Sequence, residues 1–384
     1  MHAICGQNLP NKITLRVNLA APYPQTGAYS AYLASAGLDI AQGGPRGGHA
    51  SKSGHSRLAP GASAGPAIAV NLGISMQTVN RGATALADPV FVLCAGRSGS
   101  TLLRFLLDSH PELACPPETR IPWLCTQMAS AWSVIEDVSA DNSKNEGGAD
   151  GEGTGGGGRV PEVVLAGLRQ SFGPMIDSYA ARAGKRRFCD KSLGGAMHSG
   201  LLREVWPEAR FVSLYRHPMD VIGSGIEASP WGLSGYGFEG YVAGSPGNSV
   251  AALARYWVDY TAAIVAAEEQ LGPACTRLRY EDLVAEPEAV AKDLFEFLGV
   301  APAPGITETM FARTRQRSGP GDHKIWNTSR IGGDSVGRGW GVPARMIPRQ
   351  LVADVNALAG RLGYLQIAEN WGAGDKPDDV RVFR

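Results

Sequence analysis

The feature that most constrains the fold is the stretch FVLCAGRSGSTLLRFLLDSHPELACPPETR, residues 91–120, in which an apolar strand, a glycine-serine turn and a helix follow one another. Gly96 and Gly99 permit a tight turn and let backbone N–H groups approach a ligand closely. Those N–H groups and the N-terminus of the helix favour an anion. The stretch therefore predicts an anion site where the first strand ends, and a serine-rich helix cap without a ligand is the alternative.

Strands and helices alternate along most of the chain. The patterns after the first strand and helix predict strands at 186–192, 209–216 and 275–283 and helices from 217, at 287–298 and at 347–364. Such alternation is typical of a parallel sheet covered by helices. The sequence therefore predicts an α/β fold with a P-loop-type parallel sheet flanked by helices on both faces.

Composition divides the chain into three parts. Residues 1–87 are rich in Gly, Ala, Ser and Pro, which predicts a disordered or low-complexity N-terminal extension. A transit peptide, a dispensable tail and an over-extended start upstream of Met76 are the interpretations left open for it. Residues 88–366 form the predicted domain, with a flexible glycine-rich insertion at about 142–159, and residues 367–384 form a C-terminal tail.

Charge and cysteine content exclude several classes of protein. Lys and Arg total 36, as do Asp and Glu, and this balance argues against a nucleic-acid or membrane-surface binder. No stretch approaches the roughly 20 apolar residues of a membrane span, and nothing indicates secretion, so a cytoplasmic location is expected. The six cysteines lack metal-type spacing with histidine, so no metal site is expected.

The anion loop differs from a Walker loop, which reads G-x-x-x-x-G-K-[ST]. When the two are aligned on Gly99, Ser100 occupies the lysine position and Cys94 that of the first glycine. The β- and γ-phosphates of ATP would lack their main cation, which disfavours a nucleotide kinase. Arg97 instead adds a guanidinium, and Ser100 and Thr101 add hydroxyl donors. A kinase and a non-catalytic nucleotide-binding domain stay open as alternatives.

Two later stretches carry further anion-binding groups. In YRHPMDVIGSG a strand ends with Arg216, and Ser224 follows eight residues later on a helix. Both can meet one group beside the first loop, because ligands of open α/β sheets lie beyond the carboxyl ends of the strands. The glycine-rich stretch 329–340 carries Ser335 and Arg338. It is interpreted either as a surface loop or as a loop that folds over a nucleotide.

Together these motifs resemble those of sulfotransferases that use 3′-phosphoadenosine 5′-phosphosulfate (PAPS), over roughly residues 88–345. GRSGSTLL resembles the family's loop for the 5′-phosphosulfate, with Gly96 in place of the usual proline, and YRHPMDVIGSG resembles its 3′-phosphate motif. The resemblance implies PAPS as co-substrate, 3′-phosphoadenosine 5′-phosphate (PAP) as product and no metal. The donor-binding residues it implies are Arg97, Ser98, Gly99, Ser100, Thr101, Arg216, Ser224, Arg338 and Gly339.

The same resemblance implies catalytic residues. The segment ending in Glu-Thr-Arg is similar to one in tyrosylprotein sulfotransferases, which implies that Glu118 is the catalytic base. FCDKS and DSVGRGW resemble segments that supply a lysine and a transition-state serine, implying Lys191 and Ser335 beside Arg97. A pairing of Glu118 with Arg120 and a surface role for Lys191 stay open. Cysteines that match Cys115 and Cys189 form a disulfide in that subfamily, and here a disulfide is one alternative.

The acceptor is less constrained than the donor. Similar loops occur in bacterial sulfotransferases and in sulfotransferase domains of polyketide assembly lines, which implies a small-molecule or natural-product hydroxyl as acceptor. A carrier-bound hydroxyl and a peptide tyrosine are the alternatives, and a homodimer is left open. The acceptor pocket is expected around the segment after Glu118 and the 230–247 loop, with candidate residues Trp231, Tyr236, Phe238, Tyr241, His323, Lys324 and Trp326.

Overall fold

A computed structural model describes residues 87–135, 160–227, 236–311 and 328–373, together with Lys376. Several sequence-based predictions lie outside these residues: the N-terminal extension up to residue 86, the glycine-rich insertion, Trp231, His323, Lys324, Trp326 and the end of the C-terminal tail.

Five parallel strands form a single sheet. In chain order they are β1 (Ala87–Cys94), β2 (Leu113–Ala114), β3 (Arg187–Asp190), β4 (Arg210–Tyr215) and β5 (Cys275–Arg279). Their order in the sheet is β2-β3-β1-β4-β5. Because β1 lies between β3 and β4, the connections leave it in both directions, and ligands of open α/β sheets bind beyond the carboxyl ends of strands at such a switch point.

Helices connect the strands. The α-helices of the described residues are α1 (Ser100–Ser109), α2 (Ile121–Ile135), α3 (Glu162–Arg182), α4 (Ser199–Val205), α5 (Pro218–Glu227), α6 (Glu239–Ala243), α7 (Ser249–Leu271), α8 (Tyr280–Ala285), α9 (Pro287–Leu298), α10 (Ile306–Thr309) and α11 (Arg349–Arg361). Short 3₁₀ helices occupy Gly195–His198, Gly272–Ala274, Arg338–Gly341 and Ala344–Met346.

Apolar side chains are buried on both faces of the sheet. On β1, Phe91 and Leu93 belong to one core cluster with α3 and α7, whereas Val90 and Val92 belong to a second cluster with α1 and α9. A strand that is covered on both faces reads as a continuous apolar run, as β1 does. The predicted α/β fold with helices on both faces of a parallel sheet is confirmed.

Two of the differences from the sequence-based prediction concern the strands. The strand expected at 275–283 ends at Arg279, and α8 begins at Tyr280. Glu281 and Asp282 lie in the first turn of α8, where carboxylates interact favourably with the helix dipole. Strand β2 was not predicted, because two residues are too few to show a periodic pattern.

Candidate functional site

The first loop is held by contacts that only glycine permits. Gly99, at φ 89°, precedes α1, and a β-carbon there would lie 2.2 Å from Cδ2 of Tyr280. The loop is also anchored at Gly96, whose N–H donates to the hydroxyl of buried Tyr256 at 2.7 Å. Gly99 therefore lets the loop lie against Tyr280, and Gly96 fixes the start of the loop to Tyr256.

Arg97 joins this loop to α5. Its backbone adopts a left-handed φ of 67°, and its Nε donates to Oγ of Ser224 at 3.2 Å. The guanidinium also lies 5.1 Å from the ring centroid of Tyr236. The sequence-based expectation that the first loop and the α5 serine share one crevice is consistent with this contact.

Arg216 lies where β4 ends and is only 5% exposed. Its guanidinium donates to the backbone oxygens of Arg97 at 3.1 Å and Ser335 at 2.6 Å and lies 4.3 Å from the ring centroid of Tyr280. Its Nε is buried and has no hydrogen-bond partner among the described residues. A buried donor without a partner costs free energy, so this N–H is suited to an anionic ligand.

The loop at 335–339 is fixed on the N-terminal turn of α5. The Asp220 carboxylate accepts from the N–H of Gly337 at 2.8 Å and of Gly339 at 2.7 Å, and the Ser335 and Tyr280 hydroxyls lie 2.5 Å apart. A β-carbon on Gly339 would lie 2.1 Å from the Met219 carbonyl carbon. Gly339 thus serves close backbone packing, and its N–H is already used by Asp220.

These loops line one cleft of about 290 Å³. Eight of the predicted site residues line it: Arg97, Gly99, Ser100, Thr101, Arg216, Ser224, Ser335 and Arg338. The cleft also contains residues that sequence reasoning missed, among them Tyr280, Thr328 and Arg330. Four arginines and two carboxylates, Glu227 and Asp334, line the cleft. Its net charge is therefore positive, which favours an anion.

Four predicted residues are not among those that line the cleft: Ser98, Glu118, Lys191 and Gly339. The Ser98 hydroxyl donates to the Ala95 carbonyl oxygen at 2.7 Å, which uses it inside the loop. Glu118 and Lys191 instead contact each other. Both charges affect the pKa of the Cys94 thiol, which burial raises to about 12, so the pair lies near the end of β1.

Glu118 and Lys191 form a partly buried ion pair. The Lys191 Nζ donates to Oε1 of Glu118 at 2.6 Å, with the lysine side chain 2% exposed and the glutamate side chain 22% exposed. The alternatives of an Arg120 partner for Glu118 and of a surface position for Lys191 are therefore not what the structure shows. Removing one member of such a pair would leave the other buried without its counter-charge, which is costly.

Asp190 joins the two loops that carry this pair. Its carboxylate accepts from the Thr119 hydroxyl, and from the backbone N–H and hydroxyl of Ser192 at 3.0 and 3.1 Å. The Ser192 hydroxyl in turn accepts from the N–H of Arg120 at 2.9 Å. Burial raises the pKa of Asp190, and these hydrogen bonds oppose that shift. The residues next to Glu118 and Lys191 are thus fixed to one another.

The aromatic residues expected around the acceptor differ in exposure. Phe238 is fully buried and packs edge-on against Tyr256 at 4.7 Å, so it belongs to the core, while Tyr236 and Tyr241 are partly exposed. Two exposed apolar side chains, Trp123 and Met197, follow the Glu118 and Lys191 loops along the chain.

Cys115 and Cys189, for which a disulfide was one alternative, are buried free thiols. Burial is the main reason that the pKa of the Cys115 thiol is raised, and the neighbouring Cys189 side chain raises it further.

Comparison with known proteins identifies the family. Residues 89–304 match the model of the sulfotransferase family, and the chain belongs to that family. It is 29% identical over 319 residues to nodulation protein NoeE of Sinorhizobium fredii, covering 77% of this chain and 72% of that protein. It is 26% identical over 302 residues to protein-tyrosine sulfotransferase A of Caenorhabditis elegans, covering 76% and 70%.

A solved structure shares the fold. The sulfotransferase domain from the curacin biosynthetic pathway superposes with a TM-score of 0.51 at 20% identity, covering 74% of this chain and 100% of that one. Within the part of the chain that the structure describes, no helix is long and apolar enough to cross a membrane, and no group of His, Cys, Asp and Glu is arranged to hold a metal ion.

Proposed function

We propose that the protein transfers a sulfuryl group from PAPS to a hydroxyl of a small-molecule or natural-product acceptor. The observation that carries the proposal is Arg216, whose buried Nε has no hydrogen-bond partner among the described residues and whose side chain lines an arginine-rich cleft. A ligand phosphate would give this N–H an ionised acceptor, and hydrogen bonds to ionised groups are the strong ones.

The donor would be held by both loops. Arg216 and Ser224 would bind its 3′-phosphate, while Arg97, the hydroxyls of Ser100 and Thr101 and the backbone amides of residues 98–101 would bind the 5′-phosphosulfate. Arg338 lines the cleft and would add a more exposed cation. Gly339 would contribute through the packing that fixes its loop. The cleft of about 290 Å³ would receive this anion, and glycine at position 99 keeps the loop packed against Tyr280.

The chemistry assigned to the catalytic residues is an in-line displacement at sulfur. Glu118 would accept the proton of the acceptor hydroxyl while the acceptor oxygen bonds to sulfur and the bond from sulfur to the 5′-phosphate oxygen breaks, giving a sulfate ester and PAP. Lys191, Arg97 and the Ser335 hydroxyl would stabilise the charge that develops on the departing oxygen. Proton transfer to a positioned base typically contributes about 10²–10⁴-fold in rate.

Calorimetric titration with PAP, AMP and ADP tests the donor assignment. We expect micromolar binding of PAP that falls sharply for AMP, because AMP lacks the 3′-phosphate that Arg216 and Ser224 would hold. The kinase alternative instead predicts a preference for ADP. That preference, or no binding of any of the three, would refute the proposed donor.

A protein-tyrosine acceptor is the second candidate, favoured by the 26% identity to the C. elegans enzyme over 76% of this chain. An assay with ³⁵S-labelled PAPS distinguishes the two candidate acceptors when it is run with two acceptor sets, tyrosine-containing peptides and small hydroxyl compounds. Label transfer to peptides alone would favour the second candidate over the first.

A further inference from the structure

The C-terminal segment, residues 364–373, follows α11 and is anchored to it. The Asn356 side chain accepts from the N–H of Ile367 at 2.7 Å and donates to the Ile367 carbonyl oxygen at 2.9 Å. The Ile367 side chain is buried in the core. This pair of hydrogen bonds fixes the position from which the rest of the segment continues towards the loops that line the 290 Å³ cleft, called the donor cleft below because it is proposed to bind the donor.

Trp371 contacts both elements that supply the phosphate-binding groups. Its indole Nε1 donates to the carbonyl oxygen of Gly339 at 3.1 Å. Its ring stacks on the imidazole of His217, with centroids 5.3 Å apart and planes inclined by 12°, and His217 directly follows Arg216. The ring also lies 4.8 Å from that of Trp340. One side chain therefore bridges the loop of Ser335 and Gly339 to the end of β4.

The segment holds residue 217 by further contacts. The His217 Nδ1 accepts from the N–H of Met219 at 3.2 Å, so its Nε2 carries the proton and donates to the Leu365 carbonyl oxygen at 2.9 Å. The buried Glu281 carboxyl accepts from the backbone N–H of His217 at 2.9 Å and from the Tyr364 hydroxyl at 3.1 Å. Both the ring and the backbone of residue 217 are thus connected to the C-terminal segment.

The position of the Arg216 guanidinium depends on these contacts. It donates to a backbone oxygen of the first loop and to the backbone oxygen of Ser335, so movement of the later loop would move an acceptor of Arg216. Asp220 holds two N–H groups of that loop, and Trp371 holds the Gly339 carbonyl oxygen on the other side of the same residue. Without the indole, Gly339 and the face of His217 would both lose a packed neighbour.

We propose that Trp371 is a positioning residue for donor binding: it holds the 335–339 loop against His217, so that Arg216 is oriented towards the 3′-phosphate. This inference rests on the proposed function. Trp371 is not among the residues that line the cleft, so its effect would pass through Arg216. Its loss should consequently weaken recognition of the 3′-phosphate more than recognition of the rest of the nucleotide.

The test compares PAP with AMP in the full chain carrying Trp371→Ala. We expect the Kd for PAP to rise about tenfold, which corresponds to about 1.4 kcal/mol, and the Kd for AMP to change less than about twofold. The matched control is Trp132→Ala, since Trp132 is a partly exposed tryptophan on α2 that does not line the cleft. Trp371→Phe keeps a ring against His217 but removes the indole donor, so an intermediate loss of about threefold is expected.

The ratio of the two dissociation constants separates positioning from general destabilisation. A parent-like preference for PAP over AMP in Trp371→Ala would overturn the role of Trp371. Should that variant fail to fold in a thermal unfolding measurement, Trp371→Phe decides, and a parent-like ratio there would overturn the role equally. A parent protein with no preference for PAP would instead refute the proposed function itself.

Discussion

The candidate site has two ends: the donor end, which is the cleft that contains Arg216, and the Glu118–Lys191 ion pair. They accommodate buried positive charge in different ways. At the donor end, Arg216 is 5% exposed and contacts neutral backbone oxygens, with Nε unpartnered in the described part of the chain. At the other end, Lys191 is 2% exposed and is paired with Glu118 at 2.6 Å. The Asp220 carboxylate lies 4.0 Å from the Arg216 guanidinium but is hydrogen-bonded to Gly337 and Gly339. Arg216 therefore keeps a buried N–H for a ligand, whereas Lys191 is hydrogen-bonded directly to its counter-charge.

This difference suggests how each end would act. A buried guanidinium whose hydrogen bonds go to carbonyl oxygens, with a carboxylate only at 4.0 Å, gains a charged hydrogen-bond partner from a bound anion. The Glu118–Lys191 pair is neutral as a unit, and proton transfer to Glu118 would leave Lys191 without its counter-charge. Lys191 could then stabilise negative charge on the departing oxygen at the step where that charge develops. The donor end would thus supply affinity and the ion pair would supply rate.

Glu118→Gln should produce the largest effect, and that effect should fall on the rate of transfer. The amide still accepts a hydrogen bond from Lys191 but cannot act as the base, so kcat should fall by at least about 10²-fold. The Kd for PAP should stay within about twofold, because Glu118 is not among the residues that line the donor cleft. Steady-state assays with labelled PAPS and calorimetry measure the two quantities.

Glutamine is preferable to alanine in this experiment. Both substitutions remove the counter-charge of Lys191, but alanine also removes its hydrogen-bond acceptor. The ammonium would then be buried and unpaired, which costs about 3–5 kcal/mol in folding stability and would mix instability with loss of the base. Glu112→Gln serves as a control for a glutamate outside the cleft, since Glu112 pairs with Arg186. An unchanged kcat in Glu118→Gln would remove Glu118 from the role of base.

Glu281, behind the donor end, should produce the next largest effect, on stability. Burial raises the pKa of this carboxyl from 4.5 to about 7, so between these pH values the folded protein holds a proton that the unfolded chain releases. The parent therefore loses stability as pH rises through this window. Glu281→Gln lacks this titration, so its stability relative to the parent should rise across the window by on the order of 3 kcal/mol.

His217 gives the same experiment an internal check. Burial lowers its pKa from 6.5 to about 4, so the folded protein binds fewer protons than the unfolded chain between those values, and stability rises with pH there. In the parent the contributions of His217 and Glu281 to the pH dependence of stability have opposite signs and overlap. In Glu281→Gln only the His217 contribution should remain, so stability should rise with pH. Urea unfolding of both proteins across this range measures it, and a pH-independent difference between them would mean that Glu281 does not titrate in the window.

The elements predictable from sequence were those defined by local patterns. An apolar run followed by glycines fixes β1 and its loop, and Arg216 and Ser224 could be placed because spacing along one strand and one helix determines their positions. Tyr280 was missed because its role arises from contact with Gly99 far along the chain. The residues around it were predicted to belong to the strand at 275–283.

The partner of Glu118 could not be read from the sequence for a related reason. The Glu118 loop follows β2, which pairs with β3 in the sheet, and this pairing brings Lys191 to Glu118. Because β2 has two residues, no periodic pattern reveals it, and the nearby Arg120 was an equally reasonable partner. The contact of Trp371 with Gly339 likewise joins distant parts of the chain, and composition contains no sign of it.

Arg216→Ala is the prediction with the smallest expected effect, and it tests the donor end directly. Loss of the buried guanidinium should weaken PAP binding by about 1.5–3 kcal/mol, the range for hydrogen bonds to charged groups, with little change for AMP. Arg338→Ala is the matched control in the same cleft, because its side chain is 49% exposed and an exposed charge contributes only about 0–1 kcal/mol. Arg216→Lys should retain little of the parent's affinity for PAP, since an ammonium cannot reproduce the planar fork of a guanidinium. Equal losses of PAP affinity in Arg216→Ala and Arg338→Ala would show that net charge, and not the buried N–H, determines donor binding.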